Sequence, residues 1–172
     1  PHRFRREIGR RAGGTMGSGV DEKRASNVTN GATEAIFDFS QAIVNPGDEV
    51  IVFEPYYDSY VPSVEIAGGV ARFVTLHAPD WSFKTEELDR AFNSKTRAII
   101  VNTPHNPTGK VFSKEELQLI AGLCKQHDAL AITDEVYEHL VFAGHRHPSM
   151  AALPGMRGRP ITIAALSADI IS

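Results

Sequence analysis

Apolar residues fall along this chain in two alternating rhythms. Five short runs, Glu49–Phe53, Ala71–Leu76, Ala98–Val101, Ala129–Ile132 and Ile161–Leu166, are rich in β-branched residues and bounded by turn formers, so they read as strands. Val28–Gly31 reads as a sixth, shorter strand. Between the strands the spacing becomes helical. Ala32, Ala35, Ile36, Phe39 and Ile43 share one face, and so do Leu117, Ile120, Ala121 and Cys124. Ser113-Lys-Glu-Glu116 matches a capping box that starts the second of these helices. Thr85 stands ahead of a short helix with Glu86 and Glu87 in its first turn, and Gly68-Gly69 closes another helical piece. Asn45–Asp48 is a turn. Strand and helix alternate with crossovers long enough for parallel pairing, which predicts an α/β fold with a mostly parallel sheet.

Composition narrows the function classes more than the fold. The 172 residues suffice for one domain with a real core, and no apolar run approaches membrane-spanning length. The net charge of −3 is unevenly spread: residues 1–24 hold seven Lys/Arg against three acids. This start lacks the apolar stretch of a secretion signal, and no base-reading motif or aromatic interleaving follows it. Residues 1–26 are therefore expected to be a poorly structured basic extension, with no nucleic-acid or membrane partner. A single cysteine, Cys124, cannot form an internal disulfide and points to a reducing, cytoplasmic setting. His145 and His147 flank Arg146 without Cys or acidic partners at ligand spacing, so no metal is expected. The phosphate-binding glycine fingerprints GxGxxG and GxxxxGK[ST] are both absent.

Candidate chemistry gathers where strands end. The buried-looking run Ala129–Ile132 stops at Asp134, Glu135 and Tyr137, and open α/β sheets place ligand chemistry at the carboxyl ends of their strands. Asp134 has two readings here, a helix N-cap or a site carboxylate. Tyr56, Tyr57 and Tyr60 follow the strand ending at Glu54, where a ring either packs or faces a planar ligand. The strand Ala98–Val101 runs into Asn102-Thr-Pro-His-Asn-Pro-Thr-Gly-Lys110, whose two prolines stiffen the loop around Asn106. Gly31 opens a helix whose first N–H groups offer an anion site, or form a plain turn.

Four segments in this order, VTNGATEAIF, NPGDEVIVFEPYYDSY, NTPHNPTGKVF and ITDEVYEHLVF, resemble the large domain of the class I/II aminotransferases, the fold-type I enzymes that use pyridoxal 5'-phosphate. The wording of the second and fourth is nearest the kynurenine/glutamine transaminase and cysteine-conjugate lyase branch. The likeness runs over about residues 27–163. It implies a three-layer αβα architecture in residues 27–172, with the last strand and the small domain of the family missing. By the same resemblance the backbone of Ala32 and Thr33 would hold the cofactor phosphate and Tyr57 would stack on its ring. Asn106 and Tyr137 would reach the ring's phenolic oxygen, and Asp134 would pair with the protonated ring nitrogen. That last role is physically apt, because the ring withdraws electrons only while its nitrogen stays positive, and a neighbouring carboxylate favours that form.

The departures from the family pattern bear on catalysis. Where the family carries a Ser-x-x-Lys segment, this chain reads Ala165-Leu-Ser-Ala168, so Ala168 occupies the position of the Schiff-base lysine. No catalytic residue is identified, and the arginines expected further on are missing. Both the first twenty-odd residues and Asp169–Ser172 depart from the family. A fragment, or a chain with aberrant ends, is the expectation, with unpaired sheet edges and marginal stability. The resemblance implies an aminotransferase acting on an aromatic or sulfur-containing L-amino acid and a 2-oxo acid, homodimeric at full length. Alternatives are a carbon–sulfur β-lyase of the same family, a non-catalytic remnant, or a generic nucleotide binder.

Overall fold

Each of the five apolar runs contributes a strand. The structure, a computed structural model, describes residues 29–137, 149–153, 156 and 160–163. In chain order its elements are α1 (Ala32–Ile43), β1 (Glu49–Glu54), α2 (Tyr60–Ile66), β2 (Val70–Thr75), α3 (Thr85–Ala91) and β3 (Thr96–Asn102). They continue with α4 (Lys114–Gln126), β4 (Leu130–Asp134), a 3-10 turn (Met150–Ala152) and β5 (Pro160–Ile163). The strands form one sheet in the order β2-β1-β3-β4-β5, every neighbouring pair parallel.

Side-chain alternation along the strands sorts the core into two layers. Ile51, Phe53, Ile99, Val101 and Ala131 face one way and pack with Leu88 of α3 and with Leu117, Ile120 and Cys124 of α4. Val50, Val52, Ala98, Ile100 and Ile132 face the other way, against Ala35 and Ile36 of α1 and Tyr60 and Val64 of α2. Strands buried on both faces need unbroken apolar runs, which is why these segments lack the polar alternation of a half-exposed sheet. Each fully buried Ile or Val contributes about 1.5–3 kcal/mol, which makes these runs the main source of stability. At Gly69 an added Cβ would lie 2.6 Å from Val44 Cγ1, so a bare backbone is needed for the chain to pass there.

Helix boundaries follow local chemistry. The Ser113 hydroxyl accepts the Glu116 N–H at 3.1 Å, and the Glu116 carboxylate accepts the Ser113 N–H at 2.8 Å, completing the expected capping box. The same helix ends in a Schellman turn, with Ala129 N–H on the Cys124 carbonyl and Asp128 (φ 53°) in the left-handed region. Two expectations need correction. Thr29–Gly31 is not a strand: the Thr29 hydroxyl bonds back to the Gly31 carbonyl and the Asn30 N–H bonds to Glu34, forming a helix-entry loop. Thr85 does not stand ahead of its helix but is the first helical residue, and extended Lys84 precedes it. Val28, the basic extension, His145–His147 and Ala164–Leu166 lie outside the described residues.

β2 and β5 are the sheet edges among the described residues, and Val70 and Phe73 on β2 are exposed. Among the described residues no helix is long and apolar enough to cross a membrane, and no cluster of acids, histidines and cysteines could hold a metal ion.

Candidate functional site

Parallel strands bring all their carboxyl ends to one edge of the sheet. Helix α1 joins that edge too. It reaches β1 through a four-residue turn, Val44 aside, and so runs antiparallel to the strands with its first turn at their carboxyl ends. Gly31 makes the entry, with φ 106° and ψ 170°, a conformation essentially reserved for glycine. No side chain caps this helix. Its first backbone bond runs from Ala35 N–H to the Gly31 carbonyl, which leaves the N–H groups of Ala32 and Thr33 without helical acceptors.

Asp134 ends β4 on the face that packs against α1 and α2, and is 5% exposed. Its Oδ2 accepts the Tyr60 hydroxyl at 2.6 Å and its Oδ1 accepts the Val136 N–H at 3.2 Å. No basic side chain among the described residues pairs with it. Burial pushes its carboxyl above the ordinary value. The Tyr60 and Val136 hydrogen bonds oppose that rise, and Glu135 adds to it. The Tyr60 phenol is pushed well above its ordinary value by burial and by Asp134, so it remains a protonated donor.

The proline loop is pinned to the same strand end. Asn102 is the register partner of Asp134, and its side-chain amide donates to the Asp134 carbonyl at 3.0 Å while its oxygen accepts the Asn106 N–H at 2.6 Å. His105 braces the loop through Thr108 Oγ1 at 2.8 Å, and Thr103 Oγ1 accepts the Phe112 N–H. Burial and then Lys110 lower the His105 imidazole to about 4, so it sits neutral in this brace. The Asn106 side chain is half-buried and makes no hydrogen bond to another described residue.

Tyr57 is half-buried beside Tyr60, with ring centroids 5.7 Å apart at 73°. It packs into the same cluster as Ala32 and Val136. Tyr56 packs against that cluster as well, and it also stacks on Phe73 of the edge strand at 5.5 Å. Tyr137 is exposed just past Asp134. One packed cluster thus ties together the acid, the Tyr57 ring and the start of α1, and the Asn102 bridge brings in the Asn106 loop. Ala165 and Ala168 lie outside the described residues. A shallow groove between α3 and α4 opens on the opposite face and holds none of these groups. Two participants escaped the sequence reading, Tyr60 as the donor to Asp134 and Asn102 as the bridge to Asn106. The only local hint was their place just beyond or at a strand end.

An open parallel α/β sheet thus places a buried acid at the end of an interior strand and a bare helix start at the same carboxyl edge. The chain belongs to the class I and II aminotransferases, whose family pattern matches residues 2–167. That match reaches into the first twenty-odd residues, beyond the stretch of about 27–163 over which the likeness was expected. Kynurenine–oxoglutarate transaminase 3 of Rattus norvegicus is 48% identical over 156 residues, covering 85% of this chain and 34% of that protein. Kynurenine–oxoglutarate transaminase 1 of Homo sapiens is 45% identical over 164 residues, covering 89% and 39%. The chain thus spans little more than a third of the length of these curated relatives. Among solved structures, N-succinyldiaminopimelate aminotransferase from Mycobacterium tuberculosis superposes with a TM-score of 0.89 at 43% identity, covering 94% of this chain and 43% of that one. A methionine aminotransferase from Escherichia coli gives 0.90 at 34% identity, covering 94% and 42%. The chain is homologous to pyridoxal-phosphate-dependent transaminases, and its likeness to the kynurenine branch is borne out.

Proposed function

We propose that this chain is the cofactor-holding portion of a pyridoxal-phosphate-dependent aminotransferase. The whole protein would move an amino group from an aromatic or sulfur-containing L-amino acid to a 2-oxo acid, as a homodimer. The observation that carries the reading is Asp134, a buried carboxylate at a strand end with no basic partner among the described residues. The remaining groups fit the same cofactor. The Ala32 and Thr33 N–H groups suit a phosphate at a helix start, and Tyr57 supplies a ring face. Asn106, held by Asn102, and Tyr137 supply polar groups for a phenolic oxygen. When bound, the cofactor supplies an electron sink for charge released at the substrate's α-carbon. Asp134 keeps a proton on the ring nitrogen, and the α1 N-terminus and Tyr57 fix the position of the ring.

Ala168, at the position of the family's Schiff-base lysine, favours a narrower reading for the 172-residue chain itself: it holds the cofactor without a covalent link and does not turn over. Titration with pyridoxal 5'-phosphate, followed by absorbance, tests both statements. Saturable binding is expected, lost on dialysis and not fixed to the protein by borohydride. Absence of saturable binding would overturn the cofactor reading, and a borohydride-fixed product would overturn the non-covalent one. In the whole protein, pyruvate release from a cysteine conjugate without a 2-oxo acid would indicate the β-lyase instead.

A further inference from the structure

We propose that Tyr60 is a positioning residue of this site: its hydroxyl holds the Asp134 carboxylate in the orientation and charge state that a cationic aromatic nitrogen requires. The inference rests on the cofactor reading above and assigns a role to a residue that reading does not use. Tyr60 opens α2 and is 2% exposed. Its phenol donates to Asp134 Oδ2 across 74 positions of sequence, at 2.6 Å, the length of a charge-assisted O–H···O⁻ bond. The Val136 N–H engages the other oxygen, Oδ1, so the plane of the carboxylate is fixed from two sides. A carboxylate has about four acceptor sites, so two donors leave room for a third.

The charges around the pair favour the same role. The groups that face this pair are Glu135 beside Asp134, and Tyr57 and Tyr137 beside the Tyr60 phenol. None of them is cationic. Burial favours the neutral acid, and Glu135 pushes in the same direction. The Tyr60 hydroxyl is the larger of the two influences that favour the ionised form, the other being the Val136 N–H. A neutral Asp134 could not sustain a positive ring nitrogen. α2 also begins beside Tyr57, since the Tyr60 N–H bonds to the Tyr57 carbonyl at 3.2 Å. One helix start therefore sets both the ring wall and the charge of the acid.

The test is Tyr60→Phe in the 172-residue chain, which keeps the ring and removes the donor. The direct readout is the carbon-13 titration of the Asp134 carboxyl, assigned with Asp134→Asn. Its midpoint is expected to rise by about one pH unit, a tenfold change in proton affinity. Affinity for pyridoxal 5'-phosphate is expected to fall about fivefold to tenfold near neutral pH, with the gap to wild type widening as pH falls. 3-Fluorotyrosine incorporated at position 60 keeps the fold and makes a more acidic donor, so it should move the midpoint downward. A purely structural tyrosine would lower stability while leaving both midpoints in place. Unmoved midpoints, or moved midpoints with unchanged cofactor affinity, would overturn the role of Tyr60 while the cofactor reading stands. A wild-type chain that binds no cofactor would overturn that reading instead, and the carboxyl titration would still decide whether Tyr60 governs the charge of Asp134.

Discussion

Two buried carboxylates stand at opposite ends of the same sheet and are treated in opposite ways. Glu49 begins β1 and is 6% exposed. Arg72 grips it with two hydrogen bonds of 2.9 and 3.0 Å, and Asn93 adds one of 2.7 Å. Those hydrogen bonds, that of Arg72 foremost, hold its carboxyl below the ordinary range. Asp134 ends β4 at nearly the same exposure, but it has a phenol and one N–H in place of a cation, and its carboxyl is pushed up. The fold meets the charge requirement of Glu49 internally, so that residue serves structure. Among the described residues it leaves Asp134 without a cation, the arrangement that the proposed ligand's charge would complete.

Removing the acid at the carboxyl end should have the largest effect on binding and the least on folding. Asp134→Asn is expected to weaken pyridoxal 5'-phosphate binding about 100-fold or more, the scale of losing one partner of a buried ion pair. The same change should leave stability at pH 7 unchanged or raise it, because it removes a charge that burial disfavours. Parallel cofactor titrations and urea melts read both effects. A variant that binds as wild type does would erase the contrast between the two carboxylates.

Glu49→Gln should show the converse. It loses charge-assisted bonds to Arg72, and the urea midpoint should fall by the equivalent of about 1.5 kcal/mol with cofactor affinity unchanged. The pH dependence separates the pair further. Glu49, with its carboxyl lowered from 4.5, contributes stability that is present above that value and lost as pH falls through its folded-state pKa. Asp134, with its carboxyl raised from 3.8, has the opposite sign: its contribution is present below that value and lost as pH rises through its folded-state pKa. In urea melts between pH 3 and 7, Glu49→Gln should therefore flatten the acid-side loss of stability. Asp134→Asn should steepen it.

How much of this was legible beforehand depended on whether the information was local. Ala98–Val101 announces a two-sided buried strand by its own composition, and Ser113–Glu116 announces a helix start by its own spacing. The acid at the end of β4 was also readable, because an apolar run that stops at Asp134 is a local pattern. The Tyr60–Asp134 and Glu49–Arg72–Asn93 contacts were not, since they join elements 74, 23 and 44 residues apart and depend on sheet order. Thr29–Gly31 misled because the β-branched Val28 and Thr29 suggested a strand. The Thr29 hydroxyl and the positive φ of Gly31 instead close the chain into a loop.

A third carboxylate, Glu116, lies between the two extremes and sets the smallest expected effect. One oxygen caps α4 through the Ser113 N–H and the other accepts Lys110 Nζ, both at 2.8 Å, and the side chain is 23% exposed. Gln can take over the capping bond but not the ion pair, so Glu116→Gln isolates the pair. Lys110 also lies over the Phe112 ring at 5.1 Å, which keeps part of its support in the variant. A loss of about 1 kcal/mol in a urea melt is expected, above the usual surface pair because the Lys110 side chain is only 8% exposed. Cofactor affinity should not change, since this pair braces the far end of the proline loop while Asn102 holds the Asn106 end. A fall in affinity with Glu116→Gln would mean that the loop transmits charge or position from Lys110 to Asn106. Asp134 would then no longer be the one carboxylate of the three on which the ligand depends.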